Sequence, residues 1–359
     1  MNKQVCNRCL NDTFVPGITF NDEGLCSICE EYEKWQERLD DFEALETLWL
    51  KRLEDCRGKG KYDAVLGVSG GKDSTYVLSK LVNKYKLNVL TFTIDNGFLN
   101  EWGRERIQSV TDFLGVDHCF VPVEKEKLAA FYRFSIKFTG APCTACSYFI
   151  YATTISLASK HGIPLAVHGR SRSQMFRFFS PESTDPFLPF IYAGLQAADE
   201  HTVKATYEKV FAIIKESFSQ EFYTQIRAFL PDLSRGKPAE FLPYFLYHSY
   251  DEEKIVDYIQ EHVAWSRPDN FEILSHYDCD AHDAAGYLYE IAETRPHIIP
   301  EISVLVRNGM LSRQEALVRI EREKFKNSPE NSLNALSSLT GFNRDELIAF
   351  AQAIAARNT

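Results

Sequence analysis

The 359-residue sequence predicts an α/β fold, a doubly wound parallel sheet with a four-cysteine knuckle before it and a helical region after it. Three observations predict it. Short apolar runs alternate with helix-period segments between residues 62 and 168, in units of about 30 residues, as helical crossovers in a parallel sheet require. Two Cys-x2-Cys pairs stand close together near the start. Beyond about Pro186 the strand signals fade while helical period persists.

The elements follow in order. Residues 1–35 read as loop and carry four cysteines. Residues 36–57 have helical period, with Leu39, Phe42, Leu45, Trp49 and Leu53 on one side. Residues 58–61, Gly-Lys-Gly-Lys, form a joint. An apolar strand at 62–68 runs into Ser69-Gly70-Gly71, and a helix is expected over about 74–85. Residues 87–94 read as a second strand, 102–114 as a helix, and 118–123 as a third strand with Cys119 in the core. A helix over 148–161 and a strand over 164–168 come next. Helical period then covers 200–229, 249–264, 281–293 and 312–324, and 332–355 holds two short helices about Gly341. The expected units are a knuckle at 1–35, a connecting helix at 36–60, the α/β domain at 61–186, a helical acceptor or partner region at 187–327 and a helical tail at 328–359.

Composition narrows the function. Apolar residues are 45% and charged residues 25% of the chain, ordinary globular values that argue against disorder. The formal net charge of −10 argues against a general nucleic-acid coat, which must neutralise phosphates. No run of about 18 apolar residues suggests a membrane span. No apolar signal region follows Met1, so a cytoplasmic location is expected. Nine cysteines in that compartment read as metal ligands or reactive thiols rather than disulfides.

Three motifs carry chemistry. Cys6-x2-Cys9 and Cys26-x2-Cys29 are separated by sixteen residues, the paired spacing of a zinc knuckle. Four thiolates close a tetrahedral site with no open position, which makes a Zn2+ there structural, with iron as the alternative ion. The second motif is Ser69-Gly70-Gly71-Lys72-Asp73-Ser74 between a strand and a helix. Its glycines let backbone approach an anion, the helix start presents free N–H groups, Lys72 adds charge, and Asp73 is a candidate Mg2+ contact. It is neither a Walker A loop nor a dinucleotide fingerprint. The third is Cys143-x2-Cys146 with a distant Cys279, readable as a redox pair, a second zinc site, inert thiols or three ligands of a [4Fe-4S] cluster.

The SGGKDS loop resembles the PP-loop of ATP pyrophosphatases. That resemblance implies cleavage of ATP between the α- and β-phosphates, adenylation of an acceptor carbonyl oxygen, and displacement of AMP by nitrogen or sulfur. It assigns Ser69 to Ser74 to pyrophosphate and Mg2+, and places Asp95 and Gly169, at two strand ends, by the nucleotide. The stretches ITFNDEGLCSIC, YDAVLGVSGGKDSTY and RNGMLSRQEAL together resemble the N-acetyl sugar amidotransferase family of surface-polysaccharide biosynthesis, over about residues 5–320. That family implies conversion of an acetamido group on a nucleotide-linked sugar to an acetamidino group, with ammonia from a separate glutaminase. Arg170 stands where an acidic residue is expected, followed by Arg172 and Arg177. The three could grip a sugar diphosphate or form a solvated loop. The cysteines support the alternative, a sulfurtransferase with its own sulfur donor, and the three-thiol site resembles the cluster-dependent PP-loop thiolases. Under either reading the acceptor is a small molecule rather than nucleic acid, and a homodimer remains open.

Overall fold

The structure is a computed structural model that describes residues 4–358 apart from 182, 184, 197–199, 218–219, 221–222, 225–237 and 268–277. Its sheet has strands β1 (Ala64–Gly67), β2 (Val89–Asp95), β3 (Asp117–Pro122), β4 (Leu165–His168) and β5 (Glu240–Pro243). They lie in the order β3-β2-β1-β4-β5, all parallel. Ala64 stands opposite Val89 on one side and Leu165 on the other. The inner strands are mostly Val, Leu, Ile, Phe and Ala, with Thr91 and Thr93 in β2, because helices cover both faces. The winding reverses between β1 and β4, so a crevice opens at the C-terminal ends of those two strands.

The helices, in chain order, are α1 (Ser27–Asp40), α2 (Phe42–Cys56), α3 (Lys72–Ser79), α4 (Glu101–Leu114), α5 (Lys125–Thr139), α6 (Cys143–His161), α7 (Arg172–Met175), α8 (Leu188–Gly194), α9 (Glu200–Ser217), α10 (Tyr244–Tyr247), α11 (Glu252–His262), α12 (His282–Glu293), α13 (Ile299–Arg307), α14 (Arg313–Glu323), α15 (Glu330–Thr340) and α16 (Arg344–Asn358). A single π-turn, Lys80–Lys84, extends α3. No helix among the described residues is long and apolar enough to cross a membrane.

Several expectations need correction. Residues 1–35 are not all loop: α1 starts at Ser27, inside the second cysteine pair. The single helix expected over 36–57 breaks at Asp41, whose side chain accepts from Ala44 N and caps α2. The helical region expected over 187–327 also supplies a strand, β5, which pairs with β4 at the sheet edge. The helix expected from Tyr148 begins a turn and more earlier, so Cys143 and Cys146 lie in its first turns. Cys119 is half-buried against the core rather than within it. Of the helix expected over 200–229, residues 218–219, 221–222 and 225–229 lie outside the described residues.

The tail helices do more than extend the chain. α16 packs on α5 and α12. A side chain at Gly140, whose φ is +83°, would press to 2.8 Å of Ala292 Cβ on α12 and 3.5 Å of Ala351 Cα on α16. The tail therefore braces the turn that leads into Cys143.

Candidate functional site

The loop after β1 folds back on itself through its own hydroxyls. Ser69 N donates to Ser74 Oγ at 3.3 Å, Gly71 N to Ser69 Oγ at 3.3 Å, and Ser74 Oγ to Gly71 O at 3.2 Å. Gly70 has φ +82°, and a Cβ there would meet Gly103 O at 2.8 Å, so both the turn and the approach to α4 require glycine. Trp265 Nε1 donates to Gly70 O at 2.9 Å and fixes the loop from outside. Gly71 caps α3 with no side-chain bond, leaving the first amides of the helix for an anion.

Charge at the loop is arranged by distant elements. Lys72 Nζ lies 3.0 Å from Glu252 Oε1 at the start of α11 and 3.3 Å from Asp73 Oδ2. Burial pulls the Lys72 ammonium down, but Asp73 and Glu252 outweigh it and hold its pKa above the usual value. It therefore stays cationic. Tyr250 OH donates to Asp73 Oδ1 at 3.0 Å, and burial, then Asp73 and Glu252, keep that phenol protonated. Gly169 is placed against the same helix start: a Cβ there would lie 3.3 Å from the carbonyl group of Asp73 and from Ser74 N. Asp95, at the end of β2, accepts from Gly97 N at 3.3 Å and pairs with Arg104 at 2.8 Å near the surface.

Cys143, Cys146 and Cys279 meet across the loop that follows β2. Asn96 Nδ2 donates to Cys146 Sγ at 3.5 Å, and Tyr132 OH donates to Asn96 O at 3.1 Å. Leu99 of the same loop pairs with Cys279 as an antiparallel bridge. Burial pushes the Cys143 thiol up to about 12, with Cys146 adding to it. Burial likewise raises Cys279, and Cys146 and Cys143 raise it further. The three sulfurs are thus mutual electrostatic neighbours. They are spaced wider than ligands of one ion, since among the described residues only the N-terminal four fall within that limit. Residues 268–277, just before Asp278 and Cys279, lie outside the described residues.

The three arginines separate. Arg172 is structural: its guanidinium donates to Phe245 O, Leu39 O and Leu246 O at 3.1, 2.8 and 3.0 Å. It is not available to grip an acceptor. Arg177 pairs with Glu301 at 3.4 Å. Arg170 lies over the rings of Tyr151 and Phe187, 5.1 and 4.8 Å from their centroids.

The N-terminal cysteines form a compact second centre. Their four sulfurs lie within 4.8 Å of one another and all four residues are 0% exposed. Cys6 to Cys29 and Cys9 to Cys26 are each 3.8 Å. A tetrahedron with metal–sulfur bonds of about 2.3 Å has edges of about 3.8 Å, so the set fits one tetrahedral ion. The backbone N–H groups of Cys26 and Asn11 donate to Cys6 Sγ and Cys9 Sγ at 3.3 and 3.4 Å. Arg307 Nε donates to Cys29 Sγ at 3.4 Å. Arg313 donates to the carbonyls of Cys6, at 2.8 Å, and Cys9. The RNGMLSRQEAL stretch is thereby explained: it is the dock on which the knuckle sits.

Sequence reasoning missed Tyr250, Glu252, Trp265, Asn96, Tyr132 and Asp278. Tyr250 is 177 residues from its partner Asp73, and Trp265 is 195 from Gly70, so no local spacing could have found them. Asp278 does stand next to Cys279, the one local signal that could have found it.

No family model matches the sequence. It is similar to an uncharacterised protein of Methanocaldococcus jannaschii, 24% identical over 271 residues that cover 74% of each chain. Among solved structures it is similar to the U34-tRNA thiolase NcsA from Methanococcus maripaludis with its [4Fe-4S] cluster, at 13% identity, 91% coverage of each chain and a TM-score of 0.36. It is also similar to the NH3-dependent NAD synthetase from Campylobacter jejuni, at 14% identity over 52% of this chain and 92% of that one, with a TM-score of 0.29. NMN synthetase from Francisella tularensis gives 14% identity over 52% and 91%, with a TM-score of 0.28.

Proposed function

We propose that this protein is an AMP-forming ATP pyrophosphatase that activates a carbonyl or amide oxygen of a small-molecule acceptor and replaces it with sulfur. The observation that carries the reading is the junction at the sheet's C-terminal edge. There the turn bearing Cys279 also bears Asp278, whose Oδ1 would lie 3.9 Å from a Cβ on Gly71 of the SGGKDS loop. An activating site and a thiol site thus share one turn.

The acceptor oxygen attacks the α-phosphorus of ATP, the bond to the β-phosphate oxygen breaks, and pyrophosphate leaves. The free amides of α3, the hydroxyls of Ser69 and Ser74, and Lys72 face the charge that grows on that leaving group. Mg2+ accompanies ATP as part of the substrate. Sulfur then attacks the activated carbon and AMP departs with the former acceptor oxygen. Cys143, Cys146 and Cys279 suit three corners of a [4Fe-4S] cluster: three neighbouring sulfurs, wider than a single-ion site, with Asn96 donating to one of them. Such a cluster, when bound, supplies an open iron that can carry sulfide. The four-cysteine knuckle would hold Zn2+ as a structural ion. Reduced thiols of this kind suit a cytoplasmic protein.

A second reading replaces sulfur with nitrogen. The resemblance of the knuckle, phosphate loop and RNGMLSRQEAL stretches to N-acetyl sugar amidotransferases supports it. The acceptor would then be an acetamido group on a nucleotide-linked sugar and the partner a glutaminase.

The test common to both is the fate of ATP. The expected products are AMP and pyrophosphate, with loss of both in Lys72→Ala. Formation of ADP and phosphate would contradict the assignment.

A further inference from the structure

Asp278 introduces a problem that the phosphate loop alone does not pose. A Cβ on Gly71, the cap of α3, would lie 3.9 Å from Asp278 Oδ1. The loop amides therefore face the same space as a negative charge. A triphosphate and a carboxylate repel one another in a partly buried crevice unless a cation lies between them. The acid of the loop itself is already engaged. Asp73 Oδ1 accepts from Tyr250 and Oδ2 faces Lys72.

Resting on the ATP reading above, we propose that Asp278 supplies the protein ligand to the magnesium of bound MgATP, and that this tie sets the adjoining Cys279 in place. The turn is built to transmit it. Asp278 O accepts from Asn100 N at 3.3 Å, and Asp280 N donates to Phe98 O at 2.9 Å. Between them Cys279 pairs with Leu99. On the other side there is no slack: a Cβ on Gly103 would lie 3.2 Å from Asp278 Cβ and 3.3 Å from its Cα. A carboxylate held by the nucleotide's cation therefore fixes a sulfur one peptide away. The nucleotide would thus order the thiol site before sulfur is delivered.

The experiment is calorimetric titration of the full chain, purified without oxygen, with α,β-methylene-ATP in the presence and absence of Mg2+. In the wild type Mg2+ should tighten binding at least about tenfold. Asp278→Asn should lose that gain while its magnesium-free affinity is unchanged or tighter, because a repelling charge has gone. Asp278→Glu should recover part of the gain. Amide exchange at Cys279 and Asp280 should slow with Mg2+ and the analogue in the wild type, and not in Asp278→Asn. Retention of the full magnesium gain in Asp278→Asn overturns the proposal. So does its loss in Asp73→Asn alone, or equal weakening of Asp278→Asn with and without Mg2+. Failure of the wild type to bind the analogue at all would instead remove the ATP reading on which the proposal stands.

Discussion

Gly70 shows how much a single position in the phosphate loop decides. Its φ of +82° disfavours any side chain, and a Cβ would sit 2.8 Å from the Gly103 carbonyl, which is backbone and cannot swing aside. Gly70→Ala is expected to cost on the order of 1–3 kcal/mol. It should also weaken binding of α,β-methylene-ATP, because the loop must move off α4. A variant with wild-type melting and wild-type affinity would show that the loop has slack which the geometry denies. The loop was legible in the sequence because the glycines and hydroxyls that fold it back on itself lie within six residues, Ser69 to Ser74. The groups that set its charge were not legible. Glu252 and Tyr250 reach Lys72 and Asp73 from α11 and the segment before it, and only the fold places them there.

At the scale of elements, the knuckle is held by α13 and the start of α14 rather than by the sheet. Arg307 is buried at 2% exposure, donating to Cys29 Sγ at 3.4 Å and to Phe176 O at 3.2 Å. Four thiolates around a divalent ion carry net negative charge, and this guanidinium is the buried cation beside them. Arg307→Met is expected to lower metal affinity about 10–100-fold, read as faster zinc transfer to a chelator, and to lower the melting temperature. Unchanged zinc transfer would reduce Arg307 to a packing residue. Cysteine spacing announced the ligands, whereas their dock on α13 was visible only as an unexplained motif. α1 was misread because it begins within the second pair, where Cys26 makes no side-chain cap that a sequence could signal. β5 escaped because four residues ending in proline carry no period of their own. The inner strands β1, β2 and β4 were legible because burial on both faces leaves them mostly apolar.

Across the whole molecule, half-buried histidines link stability to pH, His118 and His168 among them. Burial lowers His118 to about 4, and burial, then Arg170, puts His168 well below its usual value. An unfolded chain protonates both near 6.5, so between about pH 6.5 and 4 it binds more protons than the folded one. Their contribution is complete above about pH 6.5 and is lost as pH falls toward 4. The ring of His168 packs against Phe187 and Phe241, 4.5 and 5.3 Å between centroids. His168→Phe should therefore flatten the fall of the urea midpoint over that window. An unchanged slope would assign the acid sensitivity to other groups.

The molecule's organisation reduces to two thiol centres of different kinds. One is four sulfurs at tetrahedral spacing, bonded to α13. The other is three wider-set sulfurs at the crevice, next to a phosphate loop. The most direct measurement is iron, acid-labile sulfide and zinc per chain in protein never exposed to air. About one zinc with four iron and four sulfide, the iron and sulfide lost in Cys279→Ser and the zinc kept, is expected. One zinc with neither iron nor sulfide would contradict the cluster site and transfer the second half-reaction from sulfur to nitrogen.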